Sequence, residues 1–572
     1  MKYGLKQYTL DHFFNKVVSD YSSNPALALI NEVPFTYEEF GIRVDKLRET
    51  LINLGYIKGD KIIILGSSSP NWAIAFLAIT TMGAVAVPIL EGFPEADIDH
   101  ITKHSEAVAI FISESLYQSL TLPAIEEMKC VFKLDDLSLR IEDMQSNSGI
   151  WKQLHDLPEK LFKSVEKAIR PAPGKNIEED DIAEILYTSG TTGYSKGVML
   201  THKNLVSNLF EGPDLLKVIN EESVVLSILP MAHAFGSTSA FLSIIYRGSS
   251  IYYLDKLPSP KILLDAMQKV KPTIMGAVPL VFEKIFHKQV VPAISKSFAL
   301  RLLTKSKFTR KLIYKKIGKK VNNLLGGNLK CVIIGGASFS PDVEEFMQEG
   351  KIPYCCGYGL SECSPLVTFS SMDKQKTGSP GHAITDVEIR IMDPDPDSGV
   401  GRICIKGPNV MKGYYKNAGE TKKAFTEDGW FISGDLGYLD EDGFLFITGR
   451  SKNLIVGPSG ENIYPEVIEA KLLESILVEE TIVYLADDGQ LVARIHPNYA
   501  YIENLKNEKD EDAIALNIID LLKEIQMETN EKLPASSRIK RVIEQSSPFV
   551  TTPTNKIKRV EYVPGYLENN KK

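Results

Sequence analysis

YTSGTTGYSKGVMLTHKN, Tyr187 to Asn204, decides how the rest of this chain is read. It follows directly on the mostly apolar run Ile182 to Leu186, so a loop of glycine, serine and threonine is predicted at the end of a buried strand. Such a loop suits phosphate. Gly190 and Gly193 let backbone N–H groups turn toward an anion, Thr188, Ser189, Thr191 and Thr192 offer hydroxyls, and Lys196 brings a positive charge. The order excludes a Walker A loop, because no glycine directly precedes Lys196 and Gly197, not Ser or Thr, follows it. Loops of this composition also occur as plain solvated turns, so composition alone leaves both readings open.

At 572 residues the chain is too long for one core and is expected to divide into two or more domains. Its 65 basic and 73 acidic residues give a mildly acidic balance, which argues against a general nucleic-acid binder. The six cysteines lack the paired spacing of a zinc site and read as buried free thiols of a reducing cytosol. The N-terminal residues have no apolar core of a secretory signal, so a cytoplasmic protein is expected. No charged side chain stands between Lys61 and Glu91, but Ser67 to Asn71, Gly83 and Pro88 interrupt the run. It parses as strand Ile62 to Leu65, a serine-capped helix from about Pro70 to Met82, and strand Ala84 to Val87: a βαβ unit, not a membrane span.

The same helix and strand alternation extends outward. Thr36 and Glu39 have capping-box spacing before a helix with Phe40, Val44, Leu47, Leu51 and Leu54 on one face, and Val108 to Ile112 reads as a further strand. The fold class expected is α/β, with parallel strands in layers. Residues 140 to 180 read as a polar surface connection. Strand Val224 to Leu229 ends at Pro230, and His233 follows in a small-residue turn before an apolar helix; a lone histidine there is more often structural than catalytic. From Lys284 to Lys320 the chain is basic and interleaved with apolar residues, without an acidic one. That pattern fits an anionic membrane surface, an acidic partner protein, or a helix that packs its apolar side inward. Gly378 to Tyr415 reads as a small β-subdomain, and the end of the chain as strands around Ile482 to Leu485 and Leu491 to Ile495 with helices near Pro465 and near Asp510 to Lys532.

The order S-G-T-T-G-x-x-K-G resembles the signature loop of the adenylate-forming superfamily: acyl-CoA synthetases, luciferases and peptide-synthetase adenylation domains. Ser195 stands where that family usually has proline. CVIIGGASFS (Cys331 to Ser340), YCCGYGLSECSP (Tyr354 to Pro365), S-G-D-L-G at Asp435, T-G-R at Arg450 and TPTNKIKR (Thr552 to Arg559) follow in the family's order. The resemblance implies a large N-terminal adenylation domain, 1–451, of α/β layers with a β-subdomain, hinged at Lys452 to a small α+β C-terminal domain, 452–572. It implies ATP and Mg²⁺ as cofactors, with the loop from Thr188 to Gly193 and Lys196 around the phosphates. Gly335, Gly336 and Ala337 would lie along the adenine, Tyr358 and Gly359 against the ring, and Ser361 near the α-phosphate. Asp435 and Arg450 would hold the ribose, and Glu362 with Thr188 the metal. Cys356 stands where many relatives carry glutamine.

P-M-A-H-A-F-G places His233 near the carboxylate substrate as an orienting or gating group, and Lys556 takes the place of the catalytic lysine. Gly460 would line the passage for a pantetheine thiol. The His233 motif, the basic insertion and S-G-E-N-I-Y-P-E resemble most the long-chain fatty acyl-CoA synthetases, although Leu280 replaces a residue usually basic in that branch. The resemblance thus implies a fatty acid substrate and coenzyme A as acceptor, or alternatively an acyl carrier protein. Apart from the resemblance, the basic and apolar pattern of Lys284 to Lys320 leads to an expected peripheral contact with the inner face of the membrane. A nucleotide-binding protein without catalysis is the remaining, more remote, alternative.

Overall fold

The structure, a computed structural model, describes residues 4–121, 123–126, 128, 130–140, 176–188, 195–256, 259–295, 297–457, 461–508, 518–552 and 556–566. The uncharged stretch after Lys61 lies at its centre. The helix Pro70–Thr81 starts where the Ser69 hydroxyl accepts from the Trp72 N–H, and proline occupies its first turn. Every residue from Trp72 to Thr81 is buried, because strands Lys61–Leu65 and Val85–Ile89 cover one side while strand Pro25–Leu29 and two helices cover the others. A helix apolar all round is thus a core helix here, with Trp72 stacked on Phe76 at 5.3 Å. The helix Tyr37–Asn53 packs beside it, and both halves of the Thr36/Glu39 capping box are formed.

Two large sheets flank this core. The first runs, edge to edge, Gly413–Tyr414, Lys196–Thr201, Ile182–Thr188, Val85–Ile89, Lys61–Leu65, Ala109–Ile112 and Cys130–Lys133. Its last five strands are parallel, as a βαβ reading demands, whereas Lys196–Thr201 returns antiparallel along Ile182–Thr188 with Thr188 opposite Lys196. The second runs His382–Ala383, Leu366–Phe369, Tyr354–Gly359, Cys331–Ile334, Ile274–Ala277, Val224–Ser227, Ser250–Tyr253, Pro25–Leu29 and Phe35–Thr36, parallel in the middle and antiparallel at both margins.

A helix follows His233 as expected, Phe235–Leu242, and it is wide-turned: the Ser243 N–H reaches the Thr238 carbonyl five residues back. Two expectations need correction. Strand Val224–Ser227 stops before Leu229. The β-subdomain does not end at Tyr415. Its sheet is Glu388–Met392, Gly401–Lys406, Phe431–Leu439 and Leu445–Arg450, while Gly413–Tyr414 leaves to pair with Val198 and Met199 of the first large sheet. Most of 140 to 180 lies outside the described residues, as does the start of the helix expected from Asp510, which is described as Ile518–Glu531. That helix and Pro465–Leu473 cover a three-stranded sheet, Val478–Leu485, Leu491–Pro497 and Arg541–Glu544, around a separate apolar core that includes Leu472, Val483, Ala493 and Ile525. All six cysteines are buried and none is in a disulfide.

Glu184 sits in the middle of strand Ile182–Thr188, fully buried, with no hydrogen-bond partner on either carboxyl oxygen among the described residues. Burial pushes its pKa up to about 8. The folded protein therefore holds a proton there that the unfolded chain releases near the ordinary value of 4.5, and wild-type stability falls as pH rises from about 4.5 to about 8. Glu184→Gln is expected to match wild type near pH 5 and to be more stable at pH 8, read as the difference in denaturant midpoint at the two pH values.

Candidate active site

The strand Ile182–Thr188 delivers Thr188, half-buried, to the edge of a cleft, and the returning strand delivers Lys196 opposite it. The residues between them, Ser189 to Gly193 with Tyr194, lie outside the described residues. Lys196 does not wait as a bare cation. Its Nζ lies 2.5 Å from Glu420 Oε2 and 5.2 Å from the centre of the Tyr414 ring. The lysine, with Lys423 behind it, holds the Glu420 carboxyl down to about 2. The Tyr414 hydroxyl in turn donates to Glu362 Oε1 at 3.0 Å. One tyrosine thus spans from Lys196, the lysine expected at the phosphates, to Glu362, the expected metal carboxylate. Glu362 is carried on a short turn, Ser361–Cys363, whose preceding Gly359 has no room for a side chain: a Cβ there would lie 2.2 Å from the Pro365 carbonyl oxygen. Glu362 and Thr188 offer hard oxygen atoms, a donor set that suits Mg²⁺, and Tyr414 is the only described hydrogen-bond partner of the Glu362 carboxylate.

The residues expected at the nucleoside stand at strand ends. Tyr358 and Gly359 close strand Tyr354–Gly359, and beside them strand Cys331–Ile334 runs into Gly335, Gly336 and Ala337. Gly336 has φ +88°, a left-handed turn that glycine adopts without strain. A Cβ on Gly335 would meet the Gly357 carbonyl oxygen at 3.1 Å and the Phe235 ring at 3.5 Å, so this turn touches the His233 segment. Cys356 is buried, and its N–H donates to the Ser370 hydroxyl. Tyr358 donates its hydroxyl to Asp435 Oδ2 at 2.5 Å, while Arg450 Nε lies 2.7 Å from Asp435 Oδ1. Asp435 and Arg450 face each other across strands Phe431–Leu439 and Leu445–Arg450.

His233 enters this cleft because the chain folds tightly at Pro230: Gly236 lies so near the Pro230 carbonyl that a Cβ would stand 2.0 Å from its oxygen. The Phe235 N–H donates to His233 Nδ1 at 3.3 Å, which leaves the ring proton on Nε2. Burial holds the His233 pKa down to about 4, and repulsion from the Lys556 ammonium adds to it, so the imidazole is neutral. Lys556 itself stays open to water at its surface. Surrounding protein nonetheless lowers its pKa, Arg450 lowers it further, and Asp435 and Glu362 oppose them. The Lys556 ammonium therefore lies within electrostatic reach of His233, Arg450, Asp435 and Glu362. Lys452 stands at the margin, its pKa lowered by burial and by Lys196, with Glu420 opposing. Gly460 lies outside the described residues.

Lys556 is aimed by local bonds. Its N–H donates to the Thr552 hydroxyl and its carbonyl accepts from the Thr552 N–H at 2.8 Å. Three residues on, Arg559 donates twice, both at 2.6 Å, to the buried carboxylate of Glu469 on helix Pro465–Leu473, and once to the Val483 carbonyl. Sequence reasoning passed over Glu420, Tyr414 and the Arg559–Glu469 pair. Glu420 and Tyr414 stand in a polar stretch whose only signal was that a buried lysine needs a counter-charge.

A fold of this layout with this cleft defines a nucleotide-binding enzyme. The chain belongs to the AMP-binding enzyme family, whose model matches residues 14–415. It is similar to long-chain-fatty-acid–CoA ligase FadD15 of Mycobacterium bovis, 31% identical over 76% of this chain and 72% of the relative. It is also similar to long-chain-fatty-acid–[acyl-carrier-protein] ligase AEE15, chloroplastic, of Arabidopsis thaliana, 29% identical over 93% of this chain and 82% of the relative. The fold corresponds to that of ATP-bound MatB from Rhodopseudomonas palustris at TM-score 0.73, with 23% identity over 98% of this chain and 99% of that one.

Arg559→Ala is expected to cost about 3–5 kcal/mol, because it strands the buried Glu469 carboxylate. Glu469 already has its pKa raised by burial. The loss, read by thermal unfolding, should shrink toward pH 5, where an unpaired Glu469 takes up a proton, and Arg559→Lys should restore it only in part.

Proposed function

We propose that this chain activates a fatty acid with ATP to an acyl-adenylate and then transfers the acyl group to the thiol of coenzyme A. The observation that carries the reading is the meeting of Lys556 with His233, Glu362, Asp435 and Arg450 in one cleft. A thiol cannot attack a carboxylate productively, because oxide is too poor a leaving group. The carboxylate oxygen attacks the α-phosphorus instead and pyrophosphate departs; the deprotonated thiol then adds to the acyl carbon of the mixed anhydride and AMP leaves.

Each residue answers a charge problem of that step. Acid and triphosphate repel each other, so Lys196 and Lys556 neutralise charge as the displacement proceeds. Glu362 and Thr188 would hold Mg²⁺, which when bound supplies Lewis-acid neutralisation of the phosphate oxygens. Neutral His233, with its proton on Nε2, adds a hydrogen-bond donor beside the acid without adding a second cation to Lys556. Asp435 accepts the ribose hydroxyls by exchanging the bonds it now receives from Tyr358 and Arg450, and Gly335 to Ala337 with Tyr358 flank the adenine.

The second step needs Lys556 out of the way. We take 1–451 and 452–572 as domains that rotate about Lys452, with Gly460 lining the thiol passage afterwards. The Arg559–Glu469 pair supports this motion, since it binds the Lys556 loop to the C-terminal sheet and makes the two move together. Transfer to an acyl carrier protein is the second reading, favoured by the similarity to a ligase of that name.

The test is product analysis by mass spectrometry with Mg²⁺, ATP and a series of fatty acids, with coenzyme A and holo-acyl carrier protein in parallel. AMP, pyrophosphate and acyl-CoA are expected; thioester on the carrier alone would transfer the assignment to the second reading, and no AMP with any acid would overturn both. Lys556→Ala is expected to lose adenylation by about a hundredfold or more while still binding ATP. Glu420→Gln removes a carboxylate that competes with phosphate for Lys196. It should tighten pyrophosphate binding by about three- to tenfold, and should do nothing in a Lys196→Ala background.

A further inference from the structure

Between Lys284 and Pro341 the chain carries thirteen lysines and arginines and no Asp or Glu, in a protein of net charge −8. Helix Phe298–Thr304 and helix Lys307–Leu324 form the middle of this segment. Their inner side is well anchored. Gly318 lies so close to the end of helix Pro341–Glu349 that a Cβ would stand 2.1 Å from the Gly350 carbonyl oxygen. Tyr314 packs edge-on against Phe346 at 5.2 Å, and Arg310 is bound by Glu345 and Glu349 at 2.5 and 2.9 Å.

The outer side departs from an ordinary amphipathic helix. Phe298 is 73% exposed, Leu302 59%, Phe308 73% and Leu312 57%, and Leu303 joins them. Phe298 and Phe308 are the only phenylalanines among the exposed large apolar residues described. Spacing of four residues places Phe298 over Leu302 and Phe308 over Leu312. At about 100° per residue, Phe308, Leu312, Lys315, Lys316 and Lys319 share an arc of about 100° opposite the buried Val321. The expectation that the apolar residues of this stretch turn inward holds for Ile317 and Val321 and fails for these.

We propose that these two helices form a docking surface for an anionic lipid bilayer, with Phe298, Leu302, Phe308 and Leu312 entering the acyl boundary and Arg301, Lys305, Lys311, Lys315, Lys316 and Lys319 meeting the headgroups. Apolar wedges ringed by cations, with no anion in the segment, match the two attractions that hold a helix in a membrane interface. A second copy of the chain does not fit, because a symmetric contact would set cation against cation. The surface lies on the connection between strands Ile274–Ala277 and Cys331–Ile334, the second of which runs into the Gly335–Gly336 turn of the cleft.

The experiment is sedimentation with vesicles of equimolar phosphatidylglycerol and phosphatidylcholine against phosphatidylcholine alone. It uses no acid, nucleotide or coenzyme A, so it stands apart from the ligase reading. Wild type is expected to prefer the anionic vesicles by about tenfold or more, and Lys315→Glu with Lys319→Glu to lose that preference. Phe298→Ser with Phe308→Ser should lose about tenfold on the same vesicles while melting as wild type does, because both rings are exposed. Equal partition onto both vesicle types, or retention of binding by either double variant, overturns the proposal. So does a wild type whose binding to holo-acyl carrier protein is lost on the lysine reversal while vesicle binding is unchanged.

Discussion

The cleft depends on one buried carboxylate. Asp435 takes a hydroxyl from Tyr358, at the end of the second large sheet, and a guanidinium from Arg450, across its own smaller sheet. A single charge in that position would be costly to bury, and its two donors are what make it tolerable. Because the donors come from different sheets, satisfying Asp435 also fixes how those sheets approach each other. The same charge favours the protonated form of Lys556 against burial and against Arg450. A structural requirement and an electrostatic one are thus met by the same atom pair.

Polar groups elsewhere in the cleft are likewise paired before any substrate arrives. Lys196 has Glu420, and Glu362 has Tyr414. These are exchangeable bonds at a half-open surface, unlike the bidentate Arg559–Glu469 contact, which is closed off from water. The difference is one of exposure: Lys196 and Glu420 stay partly open to water, whereas the loop that carries Lys556 is held firmly to helix Pro465–Leu473 and to the Val483 carbonyl.

What could be read in advance follows from the range of the forces involved. The capped, uncharged helix Pro70–Thr81 and its parallel strands were legible because capping and burial leave local marks. The candidate residues from Thr188 to Lys556 were legible only through family order, since no local pattern brings Asp435 to Tyr358. Glu420 was not legible at all: its partner lies more than two hundred positions away, and nothing nearby in sequence calls for it. The small β-subdomain was misjudged at Tyr415 for a related reason, because Gly413–Tyr414 alternates like its neighbours yet finds its partner in another sheet.

The helices that bear the exposed phenylalanines belong to a connection between two adjacent parallel strands whose register is set by their own ladder, from Ile274 opposite Cys331 to Ala277 opposite Ile334. Such an excursion can change in length, charge or greasiness without shifting either strand by a residue. The chemistry at the strand ends and the address at which the enzyme meets its surroundings are therefore free to evolve at different speeds.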